Sequence, residues 1–500
     1  MQQEFDLIVI GGGPVGENVA DRAVQGGLST AIVEHELVGG ECSYWACMPS
    51  KALLRAGAAI AAARRVPGAA EAVTGQLDVQ ALFAHRDEVV KHWDDGGQVD
   101  WLDGAGIRLV RGHGRLDGER RVVVTTPDGE SVELVARVAV VVATGSDPLI
   151  PHIDGLAEAR PWTSREATSA ELAPGRLAII GGGVVGVEMA AAYASFGTEV
   201  TLIARSGLLG GFEPFAGELV GAGLAEQGVR VVTGAAPLRV ERTGADAASA
   251  PDAGGAPDAG GAPAASSTPA GGEVRIELST GETVVADEVL VATGRTPRTR
   301  ELGLETIGLE PGSWLETDDT LRVRGHDWLT AVGDVNHRAL LTHQGKYQAR
   351  AAGDRIAAVA AGRETSDAPW GAHVATADHR AVPQVVFADP EVAAVGLTAA
   401  GAEKAGLRTR VVDYELGWIA GASVHADGYR GTARMVVDED RGVVVGATFV
   451  GQDVAELVQA ATIAIVGEVP LDRLWHAVPA YPTISEIWLR LLEEYGRPAA

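Results

Sequence analysis

The sequence predicts an α/β fold: two similar α/β units followed by a smaller α+β region. Three observations carry that reading. Apolar runs of strand length alternate with helix-length segments over the first part of the chain. A glycine-rich turn follows such a run twice, at 11–16 and again at 181–186. Beyond about Pro369 strands and helices continue without any turn of that kind. At 500 residues the chain exceeds what one hydrophobic core holds, so two to four domains are expected.

The first unit opens with the apolar strand Phe5–Ile10, passes through Gly11-Gly12-Gly13-Pro14-Val15-Gly16 into a helix over Glu17–Gln25, and returns as strand Thr30–Val33 before Glu34. In such a βαβ unit Gly11 permits the tight turn, Gly13 admits a pyrophosphate to the backbone, and Gly16 lets helix and strand pack closely. The helix N-terminus then faces phosphate charge, and Glu34 is placed to accept from ribose hydroxyls. The second unit repeats this: strand Leu177–Ile180, then Gly181-Gly182-Gly183-Val184-Val185-Gly186, a helix, and strand Glu199–Ile203. Two Rossmann-like dinucleotide folds imply two bound dinucleotides, with electron transfer between them. Ala143-Thr144-Gly145 and Ala292-Thr293-Gly294 each end an apolar strand, and Trp328–Asn336 leads to Gly333-Asp334, whose carboxylate suits a sugar or ribityl hydroxyl.

A net charge of −26 argues against nucleic acid or an anionic membrane as partner. No secretory signal and no bilayer-length apolar segment is visible, so a cytoplasmic protein is expected. Cys42 and Cys47 are the only cysteines. They are too few for a secreted disulfide scaffold and wrongly spaced for zinc, so no metal site is expected and the pair reads as redox-active. Pro49 marks the first turn of a helix over Ser50–Arg64, which sets Cys47 just ahead of its N-terminus, where the dipole favours a thiolate. Lys51 follows one turn later, a cation placed to steady either that thiolate or a reduced flavin.

The stretch from about 243 to 273 is rich in Ala, Gly, Pro, Asp and Ser, with APDAGG repeated at 250–255 and 256–261. It lacks apolar periodicity and is expected to be a disordered insertion in a hairpin loop. The C-terminal part mixes strands (Val382–Phe387, Val411–Tyr414, Thr432–Val437, Val443–Val450) with helices (Ala399–Ala405, Val454–Ile465, Thr483–Leu492).

Taken together, the first glycine turn, Cys42-x4-Cys47-x-Pro49-Ser50-Lys51, both Ala-Thr-Gly turns, the second glycine turn ending in Glu188, and Gly333-Asp334 resemble the FAD-dependent pyridine nucleotide-disulfide oxidoreductases, the family of dihydrolipoamide dehydrogenase, glutathione reductase and mercuric reductase. The runs at 382–398 and 446–457 resemble that family's dimerisation domain. The resemblance implies an FAD-binding domain at 1–160 and 292–365, an NAD(P)-binding domain at 161–291, and an interface domain at 366–500 in a homodimer whose partner segment completes each site. Expected FAD contacts are Gly11, Gly13, Gly16, Glu34, Gly40, Lys51, Thr144, Gly145 and Asp334. His343 is expected either to touch the isoalloxazine or to cap the following helix. Gly181, Gly183, Gly186 and Gly294 are expected to hold the nicotinamide dinucleotide. Cys47 would be the thiol beside the flavin, Cys42 the one that meets the acceptor, and Lys51 would pair with Glu188 near flavin N5.

The strand Val200–Ile203 runs into Ala204-Arg205 with no carboxylate; Ala204 leaves room and Arg205 suits a 2′-phosphate, which favours NADPH over NADH. The chain departs from the family where His-Pro-Thr-x-x-Glu becomes Tyr481-Pro482-Thr483-Ile484-Ser485-Glu486. A tyrosine titrates near pH 10 and is a poor base at neutral pH. Either Tyr481, His476 or the substrate must supply the proton. The Tyr exchange also resembles mercuric reductases and transhydrogenase-like members, but the chain shows no C-terminal cysteine pair for mercury and keeps the complete Cys42–Cys47 pair. The spacer Ser43-Tyr44-Trp45-Ala46 sets two rings near the sulfurs, either to meet an acceptor or to pack beneath the FAD. The expected enzyme is an NAD(P)H oxidoreductase that passes electrons through FAD and Cys42–Cys47 to a small disulfide or a related acceptor. The alternative, raised by Tyr481, is a quinone or dye reductase, or a transhydrogenase-like flavoprotein, acting at the flavin.

Overall fold

The computed structural model describes residues 2–243 and 271–497, so nearly all of the expected insertion at 243–273 lies outside the described residues. Strand Gln2–Ile10 pairs in parallel with Thr30–Glu34 on one side and Ser131–Val142 on the other, and Arg108–Arg111 extends the parallel edge. Arg121–Thr125 and His113–Leu116 continue the sheet antiparallel. Leu7, Ile8 and Val9 are fully buried because helices Pro14–Gln25 and Thr342–Ala360 cover one face of the central strands while Leu116, Val122, Val124, Leu302, Leu304 and Leu315 cover the other, which is why the run is continuously apolar.

Leu329–Ala331 returns from far along the chain to pair in parallel with Ser131–Val142. The carboxyl ends of three neighbouring strands thus bring Gly11, the Ala143-Thr144-Gly145 turn and Gly333-Asp334 to one edge of one sheet, where open α/β sheets bind ligands. The second unit is a four-stranded parallel sheet in the order Arg230–Thr233, Glu199–Ala204, Arg176–Ile180, Glu288–Val291. Its backbone repeats the first. Gly11 N–H donates to Val33 O at 2.9 Å and Ala143 N–H to Ile10 O at 2.8 Å; Gly181 donates to Ile203 O at 2.9 Å and Ala292 to Ile180 O at 2.8 Å.

The units are joined by the short antiparallel pair Ser146–Pro148 and Arg295–Pro297. Next to the second sheet, Pro237–Thr243, Glu273–Leu278 and Thr283–Ala286 form an antiparallel meander, so the insertion begins and ends on a hairpin, as the flanking strands suggest. The last sheet is antiparallel, in the order Gln384–Val386, Glu391–Gly396, Val443–Gly451, Thr432–Asp438, Thr409–Glu415. Strand Glu391–Gly396 is not anticipated by its sequence, where Ala393-Ala394 and a flanking Asp389-Pro390 dilute the strand signal. Helix Thr483–Leu492 begins later than expected: Ile484–Glu486 is a 3₁₀ turn and the α-helix runs Ile487–Tyr495.

The helix that carries Cys47 links the two units. It runs Cys47–Arg64, and its Leu53 and Leu54 sit in the apolar core of the second unit with Val187 and Met189. It lies beside the helix Val184–Ser195: Lys51 meets Glu188, and Gly57 approaches Ser195 so closely that a Cβ on Gly57 would stand 2.7 Å from the serine Cβ. Both contacts advance in the same chain direction, so the helices run parallel. Among the described residues no helix is long and apolar enough to cross a membrane.

Gly16 and Gly186 show why the glycine turns tolerate no side chain: a Cβ on either would stand 1.9 Å from the carbonyl oxygen of Gly11 or Gly181. Gly16→Ala is therefore expected to cost about 1–3 kcal/mol by overpacking, read as a lower urea midpoint at unchanged slope. A midpoint within error of the parent would contradict this packing.

Candidate active site

A cavity of about 1320 Å³ opens along the carboxyl edge of the first sheet. Its wall brings together Gly11, Gly13, Glu34, Gly40, Cys42, Cys47, Lys51, Thr144, Gly145, Glu188, Asp334 and His343, residues scattered over most of the sequence. Gly11 and Gly40 have φ of +107° and +55°, and a Cβ on Gly40 would stand 2.8 Å from the Gly13 Cα, so only glycine keeps these two backbones in contact. The Glu34 carboxylate accepts from the backbone N–H groups of Gly12 and Glu36, both at 2.7 Å, leaving a further lone pair on each oxygen. Asp334 accepts from Ser146 Oγ at 2.6 Å, and Ser146 in turn accepts from Arg295 Nε at 2.5 Å. Thr144 Oγ1 is buried in the wall with no partner. A cradle without Cβ atoms, an orphaned hydroxyl and two carboxylates with free lone pairs fit a dinucleotide with sugar hydroxyls.

Cys42 and Cys47 are free thiols, both partly buried. The turn between them is a short helix, Gly40–Tyr44, and Cys47 is itself the first residue of the next helix rather than just ahead of it. The helix starts three residues earlier than Pro49-Ser50 suggests because Pro49 needs no N–H partner within the first turn. The thiols are unequal. Cys47 is drawn down to about 6, chiefly by a hydrogen bond from the Cys42 thiol, with the Thr342 hydroxyl and Lys51 helping and burial opposing. Cys42 is pushed up by the same bond, and by burial. Thr342 Oγ1 lies 3.4 Å from Cys47 Sγ. Sequence reasoning missed Thr342, since only the fold brings the start of helix Thr342–Ala360 against the cysteines.

Lys51 Nζ is 2.6 Å from Glu188 Oε2 and lies over the Phe387 ring at 5.1 Å; Glu188 Oε1 accepts from the Phe387 backbone N–H at 3.1 Å. Both spacer rings are buried, and Trp45 forms part of the cavity wall. Tyr44 is 1% exposed and donates to Val38 O at 3.1 Å, while Trp45 is 4% exposed beneath the Arg165 guanidinium at 4.1 Å. Arg165 also bridges Glu36 and Glu41, at 2.9 and 2.7 Å, and its charge overcomes burial to hold Glu36 below the usual carboxylate range. Arg298 adds a contact to Asp147 and lies 3.7 Å from Glu41. Neither arginine is singled out by any motif.

His343 does not cap the long helix, whose N-cap is Leu341; its ring Nε2 is 2.8 Å from Pro383 O at the cavity rim. Gly181, Gly183, Gly186, Gly294 and the exposed Arg205 form the second unit's own glycine turn and strand end, outside the cavity wall. Gly181 has φ of +127° like Gly11, and the space over Gly183 is open within 4 Å. Tyr481 is 75% exposed, and Glu486 is buried against Arg490 at 2.6 Å; within one chain neither reaches the sulfurs.

The chain matches the family model described as pyridine nucleotide-disulphide oxidoreductase over residues 5–354 and that family's dimerisation domain over 382–491. It is 31% identical over 513 residues to a dihydrolipoyl dehydrogenase of Haloferax volcanii, spanning 98% of this chain and 95% of that protein. It is 32% identical over 486 residues to a mercuric reductase of Shigella flexneri, spanning 96% and 79%. Among solved structures, the Cu(II) complex of the HOCl-induced flavoprotein disulfide reductase RclA from Escherichia coli has the same fold, with a TM-score of 0.79 at 22% identity over 98% of this chain and 99% of that one.

The inequality of the thiols has a direct reading in pH. The thiolate fraction of Cys47 rises as pH passes upward through about 6, so alkylation of Cys47 by iodoacetamide should reach half its plateau rate there. Thr342→Val removes a partner of the anion and should move that midpoint upward; a midpoint near 8.5, the ordinary thiol value, in the parent would contradict the arrangement.

Proposed function

The chain belongs to the pyridine nucleotide-disulphide oxidoreductases, and from that premise we propose that it passes electrons from NADPH, by way of FAD, to the Cys42–Cys47 pair and on to a small disulfide. The observation that carries this reading is the inequality of the two thiols within one cavity: Cys47 is held as an anion beside Lys51 and Thr342, while Cys42 keeps its proton.

FAD, when bound, supplies the two-electron chemistry that joins a nicotinamide to a dithiol. Gly11, Gly13 and the helix N-terminus at Pro14 suit its pyrophosphate, Glu34 its ribose, and Asp334 with the Ser146 hydroxyl its sugar-like chain. Cys47 and the Lys51–Glu188 pair suit the flavin end. Glu188 and the Phe387 ring hold Lys51 in place at that end. Cys42 carries the exchange with the acceptor: it attacks one acceptor sulfur, and Cys47 then displaces it, closing the Cys42–Cys47 bond.

Gly181, Gly183 and Gly186 suit the pyrophosphate of the nicotinamide dinucleotide, Gly294 borders it, and Arg205 beside Ala204 suits a 2′-phosphate. The dimerisation domain supports a homodimer. In it, the C-terminal segment of one subunit would bring Tyr481 and Glu486 toward the sulfurs of the other.

Anaerobic titration with NADPH followed by a panel of acceptors tests the reading. Cys42→Ser should still accept electrons from NADPH but should lose disulfide turnover to background. Turnover of a disulfide that survives this change would overturn it, and turnover of a quinone alone would move the acceptor chemistry to the flavin. For the nicotinamide, Arg205→Ala should raise KM for NADPH about tenfold, a loss of about 1.4 kcal/mol from a charged hydrogen bond, with little effect on NADH. An equal change for both would remove the case for NADPH.

A further inference from the structure

The long helix Thr342–Ala360 sets the Thr342 hydroxyl 3.4 Å from Cys47 Sγ, and the start of that helix is gripped by a carboxylate outside the cavity wall. Asp378 lies on the short helix Ala377–Arg380, in the segment that leads from the long helix to the last sheet. Its side chain is fully buried, and both oxygens are engaged. Oδ1 accepts from Gln344 Nε2 at 2.7 Å, while Oδ2 accepts from Arg338 Nε at 2.7 Å and Gln348 Nε2 at 3.0 Å. Three donors converge, so the position requires an acceptor-only group. Gln348 Oε1 in turn accepts from the Gly333 N–H and from Asn336 Nδ2, both at 2.8 Å. One carboxylate therefore holds the first two turns of the long helix and, through Gln348, the turn before Asp334. Neighbouring contacts leave the segment little play. His343 Nε2 donates to Pro383 O at 2.8 Å, and the Tyr347 hydroxyl donates to Val374 O at 3.2 Å and accepts from the Ala377 N–H at 3.3 Å. Neither Asp378 nor Gln344 lines the cavity, so Asp378 can act on the cysteines only through the backbone between Gln344 and Thr342.

We propose that Asp378 is a positioning residue for the Cys47 thiolate: by fixing Gln344 it fixes the first turn of the long helix, and with it the approach of the Thr342 hydroxyl to Cys47. The proposal rests on the reading above in which Cys47 is the anion of the pair. A hydrogen bond to a thiolate fades quickly with distance and angle, so a small shift of the helix start is felt at the sulfur. The other groups facing Cys47 are Cys42, Lys51 and Glu188, which stand on helices Gly40–Tyr44, Cys47–Arg64 and Val184–Ser195 and form the fixed background. Removing the acceptor would leave buried donors unpaired, which is why the carboxylate holds its partners firmly.

The test is the pH midpoint of Cys47 alkylation by iodoacetamide in the reduced holoenzyme, assigned by fragment mass. Asp378→Asn keeps the shape but exchanges one acceptor for an NH2 group. With its oxygen toward Arg338 and Gln348, that NH2 faces the Gln344 NH2 and the first-turn anchor is lost. The midpoint should rise from about 6 by about one pH unit, the size of one hydrogen bond to an anion. Gln344→Ala removes the same anchor from the other side and should give the same rise, which keeps the test open if Asp378→Asn fails to fold. In a Thr342→Val background neither change should move the midpoint further, because the effect passes through that hydroxyl. Combining Asp378→Asn with Gln344→Glu reverses donor and acceptor across one contact and should return the midpoint to the parent's. Three results would each overturn the proposal: a parental midpoint near 6 that neither single variant moves, a rise that persists in the Thr342→Val background, or a swap that restores nothing. A parental midpoint near 8.5, the ordinary thiol value, would instead remove the anionic Cys47 on which the proposal rests.

Discussion

The ion pair between Lys51 and the buried carboxylate of Glu188 is the contact on which the arrangement depends. It joins the helix that begins at Cys47 to the glycine helix of the second unit, and so fixes the thiols of one unit against the nucleotide turn of the other. A buried carboxylate stripped of its partner is strongly destabilising, whereas the intact pair adds little net stability. Its value here is geometric. With Gly57 seated against Ser195, the two parallel helices have one register, and that register decides where Cys47 points.

The duplicated glycine turns are the second constraint. The same carbonyl-to-Cβ distance and the same two backbone hydrogen bonds recur at Gly11–Gly16 and Gly181–Gly186, although the side chains around them differ. Such turns hold a phosphate by backbone alone, so the surrounding residues are free to specialise. The first unit has filled its rim with carboxylates and thiols, while the second ends its strand in Ala204-Arg205.

Much of this was readable from residues whose role is local. Glycines at fixed offsets after an apolar run report on the turn they make themselves, and Cys42 and Cys47 are neighbours on the chain as well as in space. Thr342, Arg165, Arg295 and Arg298 are different, since each acquires its role from a partner more than a hundred residues away, and nothing in the nearby sequence marks them. Tyr44 and Trp45 show the same limit. Their sequence position left open whether they meet an acceptor or pack beneath the FAD, and only the fold brings Val38 and Arg165 against the two rings. Strand Glu391–Gly396 was hidden because its small residues are set by the neighbour Val443–Gly451 and not by an intrinsic preference.

The belt of Glu36, Glu41, Arg165, Arg298 and Asp147 carries a kinetic implication. It ties the turn before Cys42 to the helix Ser164–Ser169, which leads into the second sheet, and to both connecting strands. A swing of one unit against the other would tear several charged contacts at once. On the proposed route from nicotinamide to disulfide, both halves would then proceed without such a swing, with reactants arriving and leaving by diffusion. Turnover should accordingly respond to solvent viscosity only as far as that traffic does.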